Sequence, residues 1–395
     1  MGSTSLPEFE VTKAIIPDNE YDWGRKGANC ATCNYGKGNS RWAFTDQDGN
    51  LWLNDIDPHT GLYIPSNGHG LLIDTNTAPV ADFGNGPEWM ISSAGSQVVY
   101  TRYLDGVPHS TDSAQIAVAT QQPDGSWTTR VLANSLGRAT PEGTQVENDP
   151  DPRINYIKAD KTALYWRKMS EPDVEHEMPI SQLTGGNSRR WVPGTHKIIF
   201  QGHLATDPTL VDQVFTFDTD TNTLEQLTFD EVGKYGGFMF RAPEFNNEYV
   251  FFTMANFRQE IRIYRKLTGS DGVARWTLIK TVTGPSALPF FFSPEPFVHN
   301  GRSYVFTTVN SSPKFFDHSI PTQLAITGID PLNVDFRMLT NSTTPYRLRL
   351  DPEFFILDDG PYIYYNRLVP ATDAYPDGVP DGIWRVNTGL GPRLP

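Results

Sequence analysis

Three kinds of side chain in this 395-residue sequence could do chemistry on a polar substrate. Arg153 and Arg190 could neutralise a carboxylate and lower the cost of removing the proton beside it. His203 or His176 could take that proton, and the same or another histidine could return it to a leaving oxygen. Together these are the parts of a β-elimination on a uronate-containing glycan. Glutamates at 88, 244, 295 and 353 support a rival, because two carboxylates across a sugar can act as acid and base or as nucleophile in a glycoside hydrolase. Phe238, Met239 and Phe240 in "GGFMFRAPEF" and Phe290, Phe291 and Phe292 in "SALPFFFSPEPF" could form an aromatic wall for a sugar ring or an apolar substrate.

What would bring these residues together is a repeat. "GPEWMISSAGSQVVYTR", "APEFNNEYVFFTMAN", "FSPEPFVHNGRSYVFTT" and "LDPEFFILDDGPYIYYNR" share a proline, a glutamate, a tight turn and a β-rich run around an aromatic. Aligning on that aromatic adds "DPRI" leading to "LYWR", "RRW" leading to "IIFQGH", and a weaker copy, "CATCNYGKGNSRWAFTD". Glu88 to Tyr100, Arg153 to Tyr165 and Glu353 to Tyr365 are each twelve apart, so these three align without gaps. Most copies continue into a third strand, such as "SAQIAVAT" or "DGIWRVN", and some into a fourth, "TLEQLTFD". Self-similarity on this scale marks a repeat architecture, and four antiparallel strands repeated radially make a β-propeller. The expectation is an all-β, single seven-bladed domain over 1–395, with blades starting near 30, 87, 151, 189, 242, 293 and 351. "EVTKAII" reads as an orphan strand that closes the last blade.

The Pro-X-aromatic opening, the Gly or Asn turn, the aromatic-Thr strand and "DTDTNTLEQLT" resemble the TolB-like, PD40-type (WD40-like) propellers. The resemblance covers nearly the whole chain and implies the fold. It leaves the activity open, since such propellers include binding proteins, peptidase domains and polysaccharide lyases.

If each copy opens on the innermost strand, Thr32, Glu88, Arg153, Arg190, Glu244, Glu295 and Glu353 form a ring around the channel. Arg102, Arg167 and Arg367 then end the second strands, and His109, His176, His203 and His318 lie in the loops beyond, on one rim. His59, His196 and His299 fall on the opposite face. A structural reading stands beside the chemical one. Repeated glutamates can bond a neighbouring blade's N–H groups, in-register arginines can form inter-blade ion pairs, and the phenylalanines can pack between blades. Two further functions fit the same map: a tailoring enzyme that alkylates or cyclises a secondary metabolite, and a non-catalytic glycan- or protein-binding propeller.

Composition narrows the partners. A formal charge of −14 argues against nucleic acid, and no apolar run is long enough for a membrane helix. "MGSTSLPEFE" has neither the basic nor the apolar region of a signal peptide, so a secreted or periplasmic location would require a signal already removed. A monomer with a small-molecule or glycan ligand in the central pocket is expected. Cys30 and Cys33 read as a structural pair, with metal and redox roles as alternatives. No metal site or cofactor is assigned. The acidic turns "FDTDTNT" and "DAYPDGVPDG" are calcium candidates, although neither has the full twelve-residue loop. The sequence contains no GxSxG, HExxH or phosphate-binding glycine motif.

Overall fold

The computed structural model describes residues 6–13, 17–25, 40–46, 48–64, 70–93, 95–146, 148–171, 173–178, 189–204, 206, 209, 211–314, 317–333, 335–341, 346–376 and 378–394. They build seven antiparallel sheets. Strand β1 (Glu8–Thr12) belongs to the last of them. Blade I is β2 (Pro17–Arg25), β3 (Ser40–Asp46) and β4 (Leu51–Ile56), with β5 (Tyr63–Ile64) and β6 (Leu71–Asp74) both paired to β4. A one-turn helix, α1 (Val80–Phe83), leads to blade II: β7 (Glu88–Ser92), β8 (Gly95–Tyr103), β9 (Ala114–Gln121) and β10 (Trp127–Val131). Blade III is β11 (Arg138–Gly143), β12 (Arg153–Lys158), β13 (Leu164–Lys168) and β14 (His176–Glu177). Blade IV is β15 (Arg190–Trp191), β16 (Lys197–Gly202), β17 (Gln213–Asp218) and β18 (Thr223–Gln226). Blade V is β19 (Lys234–Ala242), β20 (Glu248–Ala255), β21 (Glu260–Thr268) and β22 (Ala274–Thr283). Blade VI is β23 (Phe290–His299), β24 (Arg302–Asn310), β25 (Gln323–Gly328) and β26 (Arg337–Met338). Blade VII is β27 (Leu348–Leu357), β28 (Gly360–Val369) and β29 (Val379–Asn387), completed by β1. The first-numbered strand of each blade from I to VII, β1 apart, is innermost, and the face on which these strands begin is called upper.

The strands form where aromatic and β-branched residues concentrate, as in Val98-Val99-Tyr100-Thr101 and Phe251-Phe252-Thr253. Each blade is apolar on both faces because both pack on neighbours. Phe240, Phe252, Phe291 and Val305 fill one core between blades V and VI, and Phe297, Phe306, Phe354 and Tyr365 fill another between VI and VII. Between β19 and β20 a short 3-10 turn (Pro243–Phe245) passes into Asn246 and Asn247, both left-handed at φ 57° and 58°. Asparagine tolerates that region better than other side chains do.

The seven-bladed architecture and the closing role of the N-terminal strand agree with the repeat, but three blade starts do not. In blade III the innermost strand is β11, so "DPRI" and "LYWR" are the second and third strands. Consecutive strands run in opposite directions, so this shift of one strand turns Arg153 toward the lower face. In blade V the innermost strand ends at Ala242, which leaves Glu244 in the lower turn rather than on the channel wall. In blade I the innermost strand is β2; Cys30, Thr32 and Cys33 lie outside the described residues.

Ring closure rests on a charged clasp. Arg349, 1% exposed, grips Glu8 with two bonds of 2.8 and 2.7 Å, and the Tyr365 hydroxyl donates to the same carboxylate. Burial pushes the Glu8 carboxyl up, but Arg349, Tyr365 and Arg367 outweigh it and hold the group below its ordinary value. A depressed carboxylate stabilises the fold above its unfolded-state pKa and loses that contribution as pH falls through the folded-state value. Glu8→Gln is therefore expected to cost about 2–4 kcal/mol near neutral pH, since it leaves the Arg349 charge buried. Urea unfolding across a pH series should show the gap from the parent closing below the ordinary glutamate range. A gap constant down to pH 2–3 would sink the clasp as an ionic one.

Candidate functional site

The innermost strands share a device that aims side chains at the axis. Thr140 in β11, Gly236 in β19, Ser293 in β23 and Asp351 in β27 all have positive φ, at 51°, 65°, 44° and 49°. At each of them the pairing register slips: between Ala139 and Glu142, Tyr235 and Phe238, Phe292 and Glu295, and Leu350 and Glu353. These are β-bulges, which bend a strand and re-aim the residue that follows. The residue two positions on is Glu142, Phe238, Glu295 or Glu353. Three of the four bulges read X-Pro-Glu (Thr140-Pro141-Glu142, Ser293-Pro294-Glu295, Asp351-Pro352-Glu353), and Gly86-Pro87-Glu88 carries the same letters at the start of β7.

One patch of this ring is built across four blades. Arg190, at the start of β15, bonds Glu142 of blade III and reaches Glu88 of blade II at 3.6 Å. Blades II and IV are not neighbours, so this contact forms where the innermost strands converge. The Arg190 guanidinium also stands 5.4 Å from the centroid of the Phe238 ring of blade V, and Asn85 donates to Glu88 at 3.1 Å. Glu142 is only 3% exposed. Sequence reasoning found Glu88 and Arg190 and counted Phe238 in the aromatic wall, but missed Glu142. The signal was the "TPE" preceding β12, the same letters as elsewhere.

The remaining predicted residues separate. Glu295 and Glu353 hold their ring positions, with Glu353 buried. Glu244 instead accepts from the backbone N–H and hydroxyl of Ser303 at 2.8 and 2.7 Å, capping blade VI from blade V. Arg153 bonds Thr219 and Asp220 at the lower face, where His196 bridges Asp220 and Asp149. His176 lies on the outermost strand of its blade, stacked on Trp166 at 4.2 Å. Arg102 joins blades I and II through Asp74 at 3.1 Å. Arg167 is 1% exposed and donates to Tyr156 and to the Ala133 carbonyl, while Arg367 pairs with Asp381 at 2.8 Å inside blade VII. Phe240 and Phe291 are 1% and 0% exposed, so they are inter-blade core rather than a wall. In the first acidic turn Asp218 and Asp220 pair with Lys197 and Arg153, and in the second Asp381 pairs with Arg347 and Arg367, so these carboxylates are engaged by cations.

Three histidines occupy the upper side. His109 stacks on Tyr103 at 4.0 Å, and His318 lies between β24 and β25. His203, at the end of β16 and 7% exposed, bonds Asp212 through Nδ1 at 2.8 Å. That bond favours the tautomer with Nε2 as acceptor. Nearby in blade V, Asn256, Phe257 and Arg258 form a left-handed run at φ 51°, 54° and 67°. The Arg258 guanidinium lies 5.6 Å from Tyr235 and 5.2 Å from Phe292, and its burial lowers its pKa.

No family model matches the chain, and no curated protein matches it. Among solved structures, the β-propeller domain of Cps50 (Swd1) from Myceliophteria thermophila is similar at 12% identity and TM-score 0.51, over 94% of this chain and 99% of that one. The dihydro-heme d1 dehydrogenase NirN in complex with DHE is similar at 13% identity and TM-score 0.49, over 98% of this chain and 75% of that one. The propeller domain of the Trilobed protease from Pyrococcus furiosus follows at 12% identity and TM-score 0.46, over 95% and 98%. At such identities the likeness concerns fold alone.

Arg190→Ala is expected to destabilise the protein by about 3–5 kcal/mol, because Glu142 would keep its charge without its cation. Replacing the pair together by Arg190→Met and Glu142→Leu should recover much of that loss. Denaturation midpoints of the three proteins decide it; equal effects of the single and double changes would contradict the coupling.

Proposed function

We propose that this chain is a ligand-binding propeller that takes a saccharide in its central channel, beside blades II to V. The observation that carries this reading is the contact of Arg190 with both Glu88 and Glu142 beside the Phe238 ring. It supplies donors and acceptors held in place, next to an aromatic face, as sugar hydroxyls and ring C–H groups require. The TolB-like lineage is proposed on the repeated Pro-Glu openings.

Binding is favoured over β-elimination because the expected clamp needed two guanidiniums on one face, and Arg153 is engaged by Asp220 on the other. A second reading keeps a lyase. The His203–Asp212 pair has the geometry of an oriented general base, and Arg190 could meet a uronate carboxylate. The hydrolase reading is weaker, since Glu142 and Glu88 are both held by Arg190 and Glu244 is a cap.

Calorimetry and mass spectrometry on a panel of neutral and acidic oligosaccharides would separate these readings. Saturable binding without product is expected. Glu88→Gln and Phe238→Leu should each weaken it about tenfold, or about 1.4 kcal/mol. Unsaturated fragments that vanish in His203→Ala would replace binding with elimination. Failure of the whole panel to bind would remove the saccharide reading.

A further inference from the structure

A second concavity lies away from the central channel. Between blades IV and V, opening toward the lower turns that contain Thr195 and Asn246, is a cleft of about 630 Å³. Small-molecule sites commonly span about 300–1,000 Å³. No residue of the Arg190 patch lines it.

Its walls combine an aromatic face with in-plane polar groups. Trp276, on β22, is fixed edge-on against Phe251, with ring centroids 5.0 Å apart. Its indole Nε1 is buried and meets no acceptor among the described residues. That nitrogen is closed to the cleft, so what Trp276 offers a ligand is ring surface. Tyr249 is held by its hydroxyl bond to the Pro193 carbonyl at 3.0 Å, with the Arg241 guanidinium 4.3 Å from its ring centroid. Asn246 and Asn247 stand at the rim in the paired left-handed turn.

The charges around the cleft are matched locally except that of Arg241, whose guanidinium donates to the Asn247 carbonyl. Lys266 pairs with Glu225 at 3.7 Å, Lys197 with Asp218 at 3.4 Å, and Glu248 with Arg265 at 2.9 Å. Such a lining offers little net attraction to an anion or a cation. It suits a neutral, flat-faced molecule rich in hydroxyl groups.

We infer that this cleft binds one or two rings of a neutral glycan, with Trp276 as the stacking platform and the Asn246–Asn247 turn as the polar edge. The ligand class rests on the saccharide reading of the whole chain, whereas the location rests on residues independent of the central channel.

The test is calorimetric titration of the full chain with cellohexaose, laminarihexaose, maltohexaose, mannohexaose and chitohexaose in turn. At least one hexaose should bind. Trp276→Ala should weaken it about tenfold and Trp276→Phe, which keeps the packing on Phe251, severalfold. Asn246→Gly with Asn247→Gly keeps a turn that glycine adopts readily and should weaken binding severalfold, so the proposal stays testable if Trp276→Ala does not fold. Glu88→Gln should leave this site unchanged. Binding that falls with Glu88→Gln and resists every Trp276 and Asn change would overturn the cleft and leave the channel reading standing. Loss of one binding component in the Trp276 and Asn variants, with a separate component weakened only by Glu88→Gln, is the expected result. Failure of all five hexaoses to bind would overturn the cleft outright.

Discussion

Seven innermost strands converge on one axis, and the side chains they aim there must be compatible in charge. This chain places glutamates on that wall in blades II, III, VI and VII. Like charges converging on one axis repel, and Arg190, on an intervening blade, meets two of them. The bulges make such convergence possible. A regular strand would point alternate residues into the neighbouring blades, whereas an extra residue turns the next side chain toward the channel. Thr140, a β-branched residue with positive φ, shows that the geometry is imposed. Arg189 holds that kink by donating to its carbonyl and hydroxyl oxygens.

Away from the axis, apolar packing between blades provides most of the cohesion, and polar staples set the spacing of the blades. Glu244 caps the backbone of blade VI. Lys280 of blade V places its ammonium among the carbonyls of Gly328, Asp330 and Asn333 in blade VI. Arg102 ties blade II to Asp74 of blade I. Charged residues that could do chemistry in isolation are thus distributed as connectors, and few remain in positions where a substrate would meet them.

The fold was legible because each blade repeats aromatic strands and tight turns at similar spacing. The site was only partly legible. Any two adjacent strands of an antiparallel blade present the same alternation, so "DPRI" with "LYWR" matches a first pair as well as the second pair it is. Which strand is innermost was encoded in a smaller signal, the X-Pro-Glu of the bulge, present at Thr140–Glu142 upstream of the stretch that aligned best. Burial was legible only in outline. Phe238 and Phe240 are two residues apart on one strand, yet Phe240 is core while Phe238 keeps contact with Arg190. Both follow the bulge in regular register and pack on Phe252, so position along the strand separates them. Asp212, the partner of His203, sits across a loop that no spacing rule links to it.

The Glu8–Arg349 clasp joins residues 341 positions apart. During synthesis β1 leaves the ribosome before the other strands of the propeller, while the sheet it completes is made after the other six. Six blades can be translated before the seventh receives its outer strand, and for that interval blade VII has an open edge. Contacts of such long range are slow to form, so the ring is expected to assemble early and lock late. Its lifetime against unzipping would then be set at this single seam, where β1 meets the last blade.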